Sequence, residues 1–151
     1  MRLARTIGKT LFVVLSLIAL LHVYWGFGGL WPTDNVRELI DLVIGDTRFE
    51  QMPPIWMTLI VACLIAAAGW VALEKSGVTS FFPKRLISLA TWCLILVFAL
   101  RGLSTYAFVS GLRETSPYAS QAFQRYDAIL YAPLCLLIAA GFLFLATRKT
   151  R

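Results

Sequence analysis

The sequence contains little charge, and this shortage excludes an ordinary soluble fold. Asp, Glu, Lys and Arg make up 15% of the 151 residues, whereas hydrophobic residues make up 59%. Soluble domains carry about 25% charged and about 45–50% apolar residues. Mean hydropathy is +0.75. A soluble domain of this length has no interior large enough for so much apolar surface, so we expect lipid to surround the chain.

Metal-binding and redox residues are also scarce. The chain has one histidine and three cysteines, Cys63, Cys93 and Cys135, and each cysteine lies in a separate apolar stretch without a C-x-x-C partner. A thiolate zinc site and a thioredoxin-like motif are therefore not indicated. We predict no metal and no cofactor, and we interpret the cysteines as small apolar side chains.

Familiar catalytic and nucleic-acid-binding patterns are absent from the sequence. It has no nucleophile elbow, no phosphate-binding glycine loop and no HExxH motif. The formal net charge of +6 comes from short basic clusters beside apolar runs, which is typical of membrane topology signals. We therefore predict no nucleic-acid partner, and no residue is assigned as catalytic.

Four apolar runs are long enough to cross a bilayer, which requires about 20 residues. We predict spans at residues 10–30, 55–73, 86–109 and 127–147. The runs are continuous rather than alternating, which indicates helices and not barrel strands. The expected fold is all-α, a four-transmembrane-helix bundle that forms one domain over residues 1–151.

Lysine and arginine are divided unevenly between the two ends of the predicted bundle. Nine flank the termini and the 74–85 loop: Arg2, Arg5, Lys9, Lys75, Lys84, Arg85, Arg148, Lys149 and Arg151. Four lie at the other end, together with most of the acids: Arg37, Arg48, Arg113 and Arg125. The positive-inside rule then puts both termini in the cytoplasm. We predict a multi-pass protein of an inner (plasma) membrane.

The first outer connection contains a predicted short amphipathic helix. Apolar residues recur there at helical spacing: Val36, Leu39, Ile40, Val43 and Ile44. Asn35, with Glu38 three residues later, resembles a capping box, and Gly45 is a stop signal. We expect this helix to cover the outer mouth of the bundle as a lid.

Three ionisable residues fall within or at the edge of the predicted spans: His22, Arg101 and Asp127. Charges in a bilayer are costly and usually face the bundle interior, so such residues are functional candidates. At about 1.5 Å of rise per residue, all three fall in the outer half of the membrane. An arginine side chain is long enough for Arg101 to reach Asp127.

Polar and aromatic neighbours extend this set. Tyr24 and Trp25 lie near His22, and Tyr131 shares a helix face with Asp127. Pro133 predicts a kink near Tyr131. We predict an outward-facing polar pocket between the first, third and fourth spans, lined by His22, Tyr24, Trp25, Arg101, Asp127 and Tyr131. The alternative is an Arg–Asp structural clasp with aromatic residues of the membrane interface.

Three segments carry a resemblance to a known family. They are residues 22–32 (HVYWGFGGLWP), Arg101-Gly102, and residues 123–127 (FQRYD) continuing to 131–136 (YAPLCL). The chain resembles the domain of unknown function 3995 family of small bacterial membrane proteins. The resemblance implies a four-helix membrane protein with no assigned activity, and it implies that these polar positions belong to the family's pattern.

Three functional hypotheses remain open. The preferred one is a non-catalytic membrane module whose pocket binds a small molecule, a lipid head group or a quinone-like ring, with Arg101 as anchor. The second is an accessory or assembly subunit of a larger membrane complex, with a membrane-protein partner or a second copy of the chain. The third is a membrane enzyme or proton-coupled carrier in which His22 and Asp127 act as acid and base.

Overall fold

The computed structural model describes residues 2–109 and 118–148, and this part of the chain is helical and contains no strand. In chain order the elements are α1 (Arg2–Gly26), α2 (Val36–Val43), α3 (Ile55–Lys75), α4 (Lys84–Val109), α5 (Gln121–Tyr126), a π-helical segment (Asp127–Tyr131) and α6 (Ala132–Thr147). Four helices are long and apolar enough to cross a membrane: α1, α3, α4 and the continuous helix Gln121–Thr147. The predicted all-α fold is confirmed, and the chain is a multi-pass membrane protein.

The helix bounds differ from the predicted spans mainly at polar ends. The first helix begins at Arg2 rather than at residue 10, and the fourth begins at Gln121 rather than at 127. Helices can continue beyond the hydrocarbon because charged side chains at their ends are solvated. The first helix ends at Gly26 rather than at 30, since Gly28 adopts φ +87°, a conformation that ends a helix.

The four crossing helices pack in two close pairs. The first pair is α1 with α3, and the second is α4 with α6; α1 also contacts α6, and α3 contacts α4. Within the described residues α1 and α4 make no direct helix–helix contact, so they lie on a diagonal of the bundle. Buried aliphatic and aromatic side chains fill the interior between α1, α3 and α6: Leu11, Leu15, Ala68, Ala72, Ile138, Phe142 and Leu145.

Glycines allow the close approach within each pair. A Cβ placed on Gly8 of α1 would lie 2.8 Å from the carbonyl oxygen of Ala72 and would overlap the Ser76 side chain. A Cβ on Gly102 of α4 would lie 2.7 Å from Cγ of Leu136 and 3.0 Å from the carbonyl oxygen of Ala132. Small residues let helix backbones approach in lipid, where packing replaces the hydrophobic effect as the driving force.

The short helix α2 is confirmed as an amphipathic element of the first connection. Its Asn35 side chain accepts the backbone N–H of Glu38 at 2.9 Å, and Leu39 and Ile40 are fully buried. It ends before Gly45, whose φ is +74°. The end of the bundle that carries α2 is called the α2 end below.

The segment after α2 is fastened to the start of the fourth crossing helix. The backbone N–H of Ser120 donates to the carbonyl of Gly45 at 2.9 Å, and that of Thr47 donates to Tyr118 at 2.8 Å. Phe123 packs so closely on Gly45 that no larger residue fits there without a shift. The α2 segment and the fourth helix therefore form one unit.

The opposite end of the bundle carries the basic residues that set the predicted orientation, and it is called the basic end below. Arg2 and Arg5 begin α1, Lys75 ends α3, Lys84 begins α4, and Arg148 follows α6. Three other residues used in that prediction, Arg113, Lys149 and Arg151, lie outside the described residues.

Replacing Gly8 with alanine tests the α1–α3 packing. We expect Gly8→Ala to lower the free energy of unfolding by about 1–3 kcal/mol, the usual cost of overpacking a tight contact. The measurement is reversible unfolding in mixed micelles. Gly26→Ala is the matched control, because a Cβ there meets its nearest atoms at an ordinary 3.6 Å. Equal stability of the two variants would contradict the close approach.

Candidate functional site

A charged cluster joins α4 to the fourth crossing helix. Arg101 donates two hydrogen bonds to Asp127, from Nη2 to Oδ1 at 2.5 Å and from Nη1 to Oδ2 at 3.3 Å. Thr105 donates to Oδ2 of Asp127 at 2.7 Å and accepts from Nη1 of Arg101 at 3.0 Å. We call these three residues the clasp. Both carboxylate oxygens of Asp127 thus accept charge-assisted or hydroxyl hydrogen bonds from side chains of α4.

The backbone around the clasp is shaped to bring these side chains together. Asp127–Tyr131 forms a π-helical turn, in which the N–H of Ala132 donates to the carbonyl of Asp127. This turn lies directly before Pro133, which cannot donate a helical hydrogen bond. The irregular turn thus occurs close to where Pro133 predicts a kink. Gly102, adjacent to Arg101, permits the close approach of α4 to this helix.

The carboxylate of the clasp is the more buried partner. The Asp127 side chain is 10% exposed and the Arg101 side chain 39% exposed. Asp127 therefore depends on Arg101 and Thr105 for its hydrogen bonds, whereas part of the guanidinium still faces the surface. The structure thus favours the interpretation of this pair as a link between two helices.

Tyr131 connects the fourth helix to the α2 segment. Its hydroxyl donates to the carbonyl of Leu42 at 3.4 Å, and its ring lies 6.0 Å from that of Phe123. The half-buried Tyr131 is therefore engaged with α2, one helical turn away from Asp127.

His22 and Trp25 lie at a different place, in a cavity between α1 and α3. The cavity has a volume of about 380 Å³ and is also lined by Ile44 after α2 and by Met52 and Trp56. The His22 and Trp25 rings meet edge to face, with their centroids 5.3 Å apart. We call this space the His22 cavity. None of its lining residues belongs to the clasp.

The hydrogen bond of His22 fixes which ring nitrogen carries hydrogen. Nδ1 lies 2.8 Å from the carbonyl oxygen of Ile18. A carbonyl only accepts, so Nδ1 is the donor, and in the neutral imidazole Nε2 is then an acceptor. The cavity lining thus includes the imidazole acceptor of His22 and the hydroxyl of Thr58 among mostly apolar side chains.

Tyr24 supports the turn after α1 and does not line the His22 cavity. Its hydroxyl accepts the backbone N–H of Trp31 at 3.4 Å, and its ring packs on Gly29. The Trp25 indole donates to the carbonyl of Trp31 at 2.8 Å. These bonds fold residues 27–31 back onto the end of α1.

The six residues predicted as one pocket thus fall into separate groups. Arg101 and Asp127 are together, as their reach predicts, whereas His22 and Trp25 line the His22 cavity. Among the described residues no hydrogen bond or ring contact joins His22 to Arg101 or Asp127. The diagonal placement of α1 and α4 explains this separation. Whether any of the six binds a ligand stays a prediction.

Sequence reasoning missed several residues of both places. Met52, Met57 and Trp56 line the His22 cavity but carry no signal beyond apolarity. Thr105 could have been found from its spacing, because it lies four residues after Arg101 and therefore on the same helix face. Glu74, at the basic end of α3, was overlooked although it is the only acid near that end.

An exposed ion pair lies beside the α2 segment. The guanidinium of Arg48 hydrogen-bonds both carboxylate oxygens of Asp46 and stacks over the Tyr118 ring at 4.7 Å. The side-chain hydrogen bond from Arg48 lowers the pKa of Asp46 to about 2. This pairing is therefore present at neutral pH and is lost only as the pH falls through that value.

Comparison with known proteins gives one match. A family model described as "Protein of unknown function (DUF3995)" matches residues 15–142, a range that includes both the clasp and the His22 cavity. No curated protein and no solved structure matches the chain.

Removing the carboxylate tests whether the clasp links the two helices. We expect Asp127→Asn to lower the free energy of unfolding by about 1.5–3 kcal/mol, because Arg101 and Thr105 lose a charged hydrogen-bond acceptor. Reversible unfolding in mixed micelles measures the change. The matched control is Ser104→Ala, because Ser104 bonds only the Arg101 carbonyl of its own helix, at 2.9 Å.

A double-mutant cycle separates pairing from individual effects. The double variant Arg101→Met with Asp127→Leu should lose less stability than the sum of the two single variants, because neither charge is then left alone in an apolar surrounding. Strict additivity of the two single losses would show that the residues are not coupled.

Proposed function

The chain belongs to the DUF3995 family of proteins of unknown function, and we propose that it binds a small, membrane-soluble molecule in the His22 cavity. The proposed ligand is an apolar ring that bears a hydroxyl group, as in a quinol. The observation that carries this proposal is the cavity itself, with one polar ring at its apolar wall.

The size and lining of the cavity support this ligand class. Its volume of about 380 Å³ lies within the range of about 300–1,000 Å³ that is typical of small-molecule sites. Two tryptophans, Trp25 and Trp56, supply flat surfaces against which a ring can stack. Met52 and Met57 are flexible apolar side chains that adapt to an irregular shape.

The bonding of His22 supports a hydroxyl donor on the ligand. Since Nδ1 is already bonded to Ile18, the neutral ring offers Nε2 as an acceptor. A ligand hydroxyl satisfies that acceptor, whereas a ligand carbonyl at the same position does not. The proposal therefore favours a reduced, hydroxyl-bearing ring over its oxidised form.

Access from the bilayer is consistent with a membrane-soluble ligand. Trp56 is 59% exposed and Ile60 is 52% exposed, and both belong to the cavity lining. These residues begin a crossing helix, so their exposed surface faces lipid rather than bulk water. A ligand dissolved in the membrane can reach the cavity from the lipid side, past Trp56 and Ile60.

The clasp takes no part in the proposed ligand binding. Arg101 is bonded to Asp127 and Thr105, and these three residues do not line the His22 cavity. An Arg101 anchor would therefore hold a ligand outside the His22 cavity, and both that hypothesis and the pairing of His22 with Asp127 as acid and base stay predictions. No specific contact favours an accessory subunit over the binding module.

We also propose that the protein lies in a bacterial inner membrane with the basic end in the cytoplasm. The uneven division of lysine and arginine supports this orientation. The His22 cavity and α2 would then lie toward the outer face.

Ligand binding can be tested with a short-chain hydroquinone and the corresponding quinone. We expect the purified wild-type protein to bind the hydroquinone more tightly, by about three- to tenfold, which corresponds to one hydrogen bond. Quenching of Trp25 and Trp56 fluorescence and native mass spectrometry measure the two affinities. His22→Phe keeps an aromatic ring but removes the acceptor, so it should abolish the preference.

The control for this experiment is Tyr24→Phe. Tyr24 directly precedes Trp25 on α1 but does not line the cavity, and its substitution removes only a hydroxyl group. It should bind both compounds as the wild type does. Absence of hydroquinone binding to the wild type, or an unchanged preference in His22→Phe, would refute the proposed ligand class.

The orientation can be tested with single cysteines in a variant without Cys63, Cys93 and Cys135. We expect Asp34→Cys, at the exposed α2 end, to react with a membrane-impermeant maleimide in intact cells. Ser80→Cys, exposed at the basic end, should react only after permeabilisation. The reverse pattern of labelling would invert the proposed topology.

A further inference from the structure

A second cavity lies at the basic end, and it shares no lining residue with the clasp or the His22 cavity. Its volume is about 550 Å³, and it is bounded by α1, by α4, by the end of α6 and by the α3–α4 connection. Four cations line it: Arg5, Lys75, Lys84 and Arg148. Each follows or belongs to a different crossing helix, so the fold gathers these charges from the whole bundle. We call this space the basic cavity.

The four cations lack carboxylate partners in the described part of the chain. The ion pairs found there are Arg37–Asp41, Arg48–Asp46 and Arg101–Asp127, and none of them is at the basic end. The guanidinium carbon of Arg148 lies 4.5 Å from the Phe144 ring centroid. The basic cavity therefore has a strong excess of positive charge.

The one acid in the lining, Glu74, is already used by the backbone. Its carboxylate accepts the N–H of Phe81 at 3.0 Å on both oxygens and that of Phe82 at 3.4 Å. The buried Glu74 thus holds the connection 76–83 over the end of α3. It shapes the wall of the cavity and does not pair with a cation.

The connection is folded tightly, which gives the basic cavity a fixed wall. The N–H of Gly77 donates to Glu74 at 3.1 Å and that of Val78 donates to Leu73 at 3.0 Å, with Gly77 at φ +73°. These two bonds form a Schellman motif that closes α3. Ser76, packed on Gly8 of α1, holds the connection against the bundle.

We propose that the basic cavity binds a phosphate group. Four cations without partners in one cavity match the charge and the several acceptor oxygens of a phosphate. The cavity lies at the ends of membrane-crossing helices, at the depth of lipid head groups, and basic pockets in this position bind anionic head groups. Its lining also contains apolar residues such as Phe82, Ile87 and Leu145, which suit the beginning of an acyl chain. This inference is independent of the proposed ligand of the His22 cavity.

The source of the phosphate is distinguished by three probes added to the purified protein in a neutral detergent. These are short-chain phosphatidic acid, short-chain phosphatidylcholine and inorganic phosphate. We expect the binding of phosphatidic acid to exceed that of phosphatidylcholine by about tenfold or more, because only the former is anionic. Native mass spectrometry and microscale thermophoresis measure the affinities. If inorganic phosphate binds tightly instead, the phosphate site is still supported, and its ligand is a soluble phosphate rather than a lipid.

A matched pair of double variants distinguishes binding in the basic cavity from a general attraction of the anion to a positively charged protein. Arg5→Gln with Lys84→Gln removes two lining cations, one from α1 and one from α4. Arg2→Gln with Arg85→Gln removes the same charge from the same two helices, at exposed positions outside the lining. The first variant should lose about tenfold or more in phosphate affinity, and the second should change less than about twofold.

Two outcomes would overturn this inference. One is a wild-type protein that binds neither phosphatidic acid nor inorganic phosphate more tightly than phosphatidylcholine. The other is an equal loss of affinity in the two double variants, which would mean that net charge alone attracts the anion. Thermal unfolding of each variant before the titration verifies that a lost affinity does not come from an unfolded protein.

Discussion

The bundle depends on one constraint: inside a bilayer, each polar group must find its partner within the protein. The crossing helices satisfy this in two ways. Most polar side chains bond a carbonyl one turn back on their own helix, as His22 does with Ile18 and Thr91 does with Ile87 at 2.7 Å. Other side chains bond a neighbouring element: Tyr106 of α4 donates to the Ala128 carbonyl at 3.3 Å, and the clasp satisfies the Asp127 carboxylate from α4. A bond within one helix does not constrain the position of its neighbours, whereas the clasp fixes the position of α4 along the fourth crossing helix.

The same constraint divides the molecule into regions of different chemistry. The α2 end has a mostly apolar cavity with the His22 imidazole in its lining, and the basic end has a cavity lined by four cations. Between them, the packed interior around Leu15 and Phe142 contains no charged residue. A ligand of the His22 cavity and an anion at the basic end would therefore interact with the protein independently. Each end has its own tightly folded connection, fastened through Gly45 at one end and Glu74 at the other.

Local signals in the sequence predicted the elements well. The cap at Asn35, the stop at Gly45 and the four apolar runs all correspond to observed elements, because each is decided by a few neighbouring residues or by hydropathy. The span ends were less accurate, since Arg2–Lys9 and Gln121–Tyr126 are polar but still helical. Polar residues at the end of a span can still be helical, so a criterion based on hydropathy alone predicts helices that are too short.

What the sequence determined by itself is the solvent and the class of fold: apolar runs of this length require lipid, and continuous runs in lipid require helices. It also identified Arg101 and Asp127 as partners, because their depths and reach agree. Only the tertiary structure decided which helices are neighbours. The depth of a residue along its helix can be counted from the sequence. The rotation of each helix and the choice of its neighbours depend instead on packing, as at Gly8 and Gly102. In the packed bundle α1 and α4 lie on a diagonal. For that reason His22 lines a cavity to which the clasp does not belong, although counting residues along each span gives His22 and Arg101 similar depths.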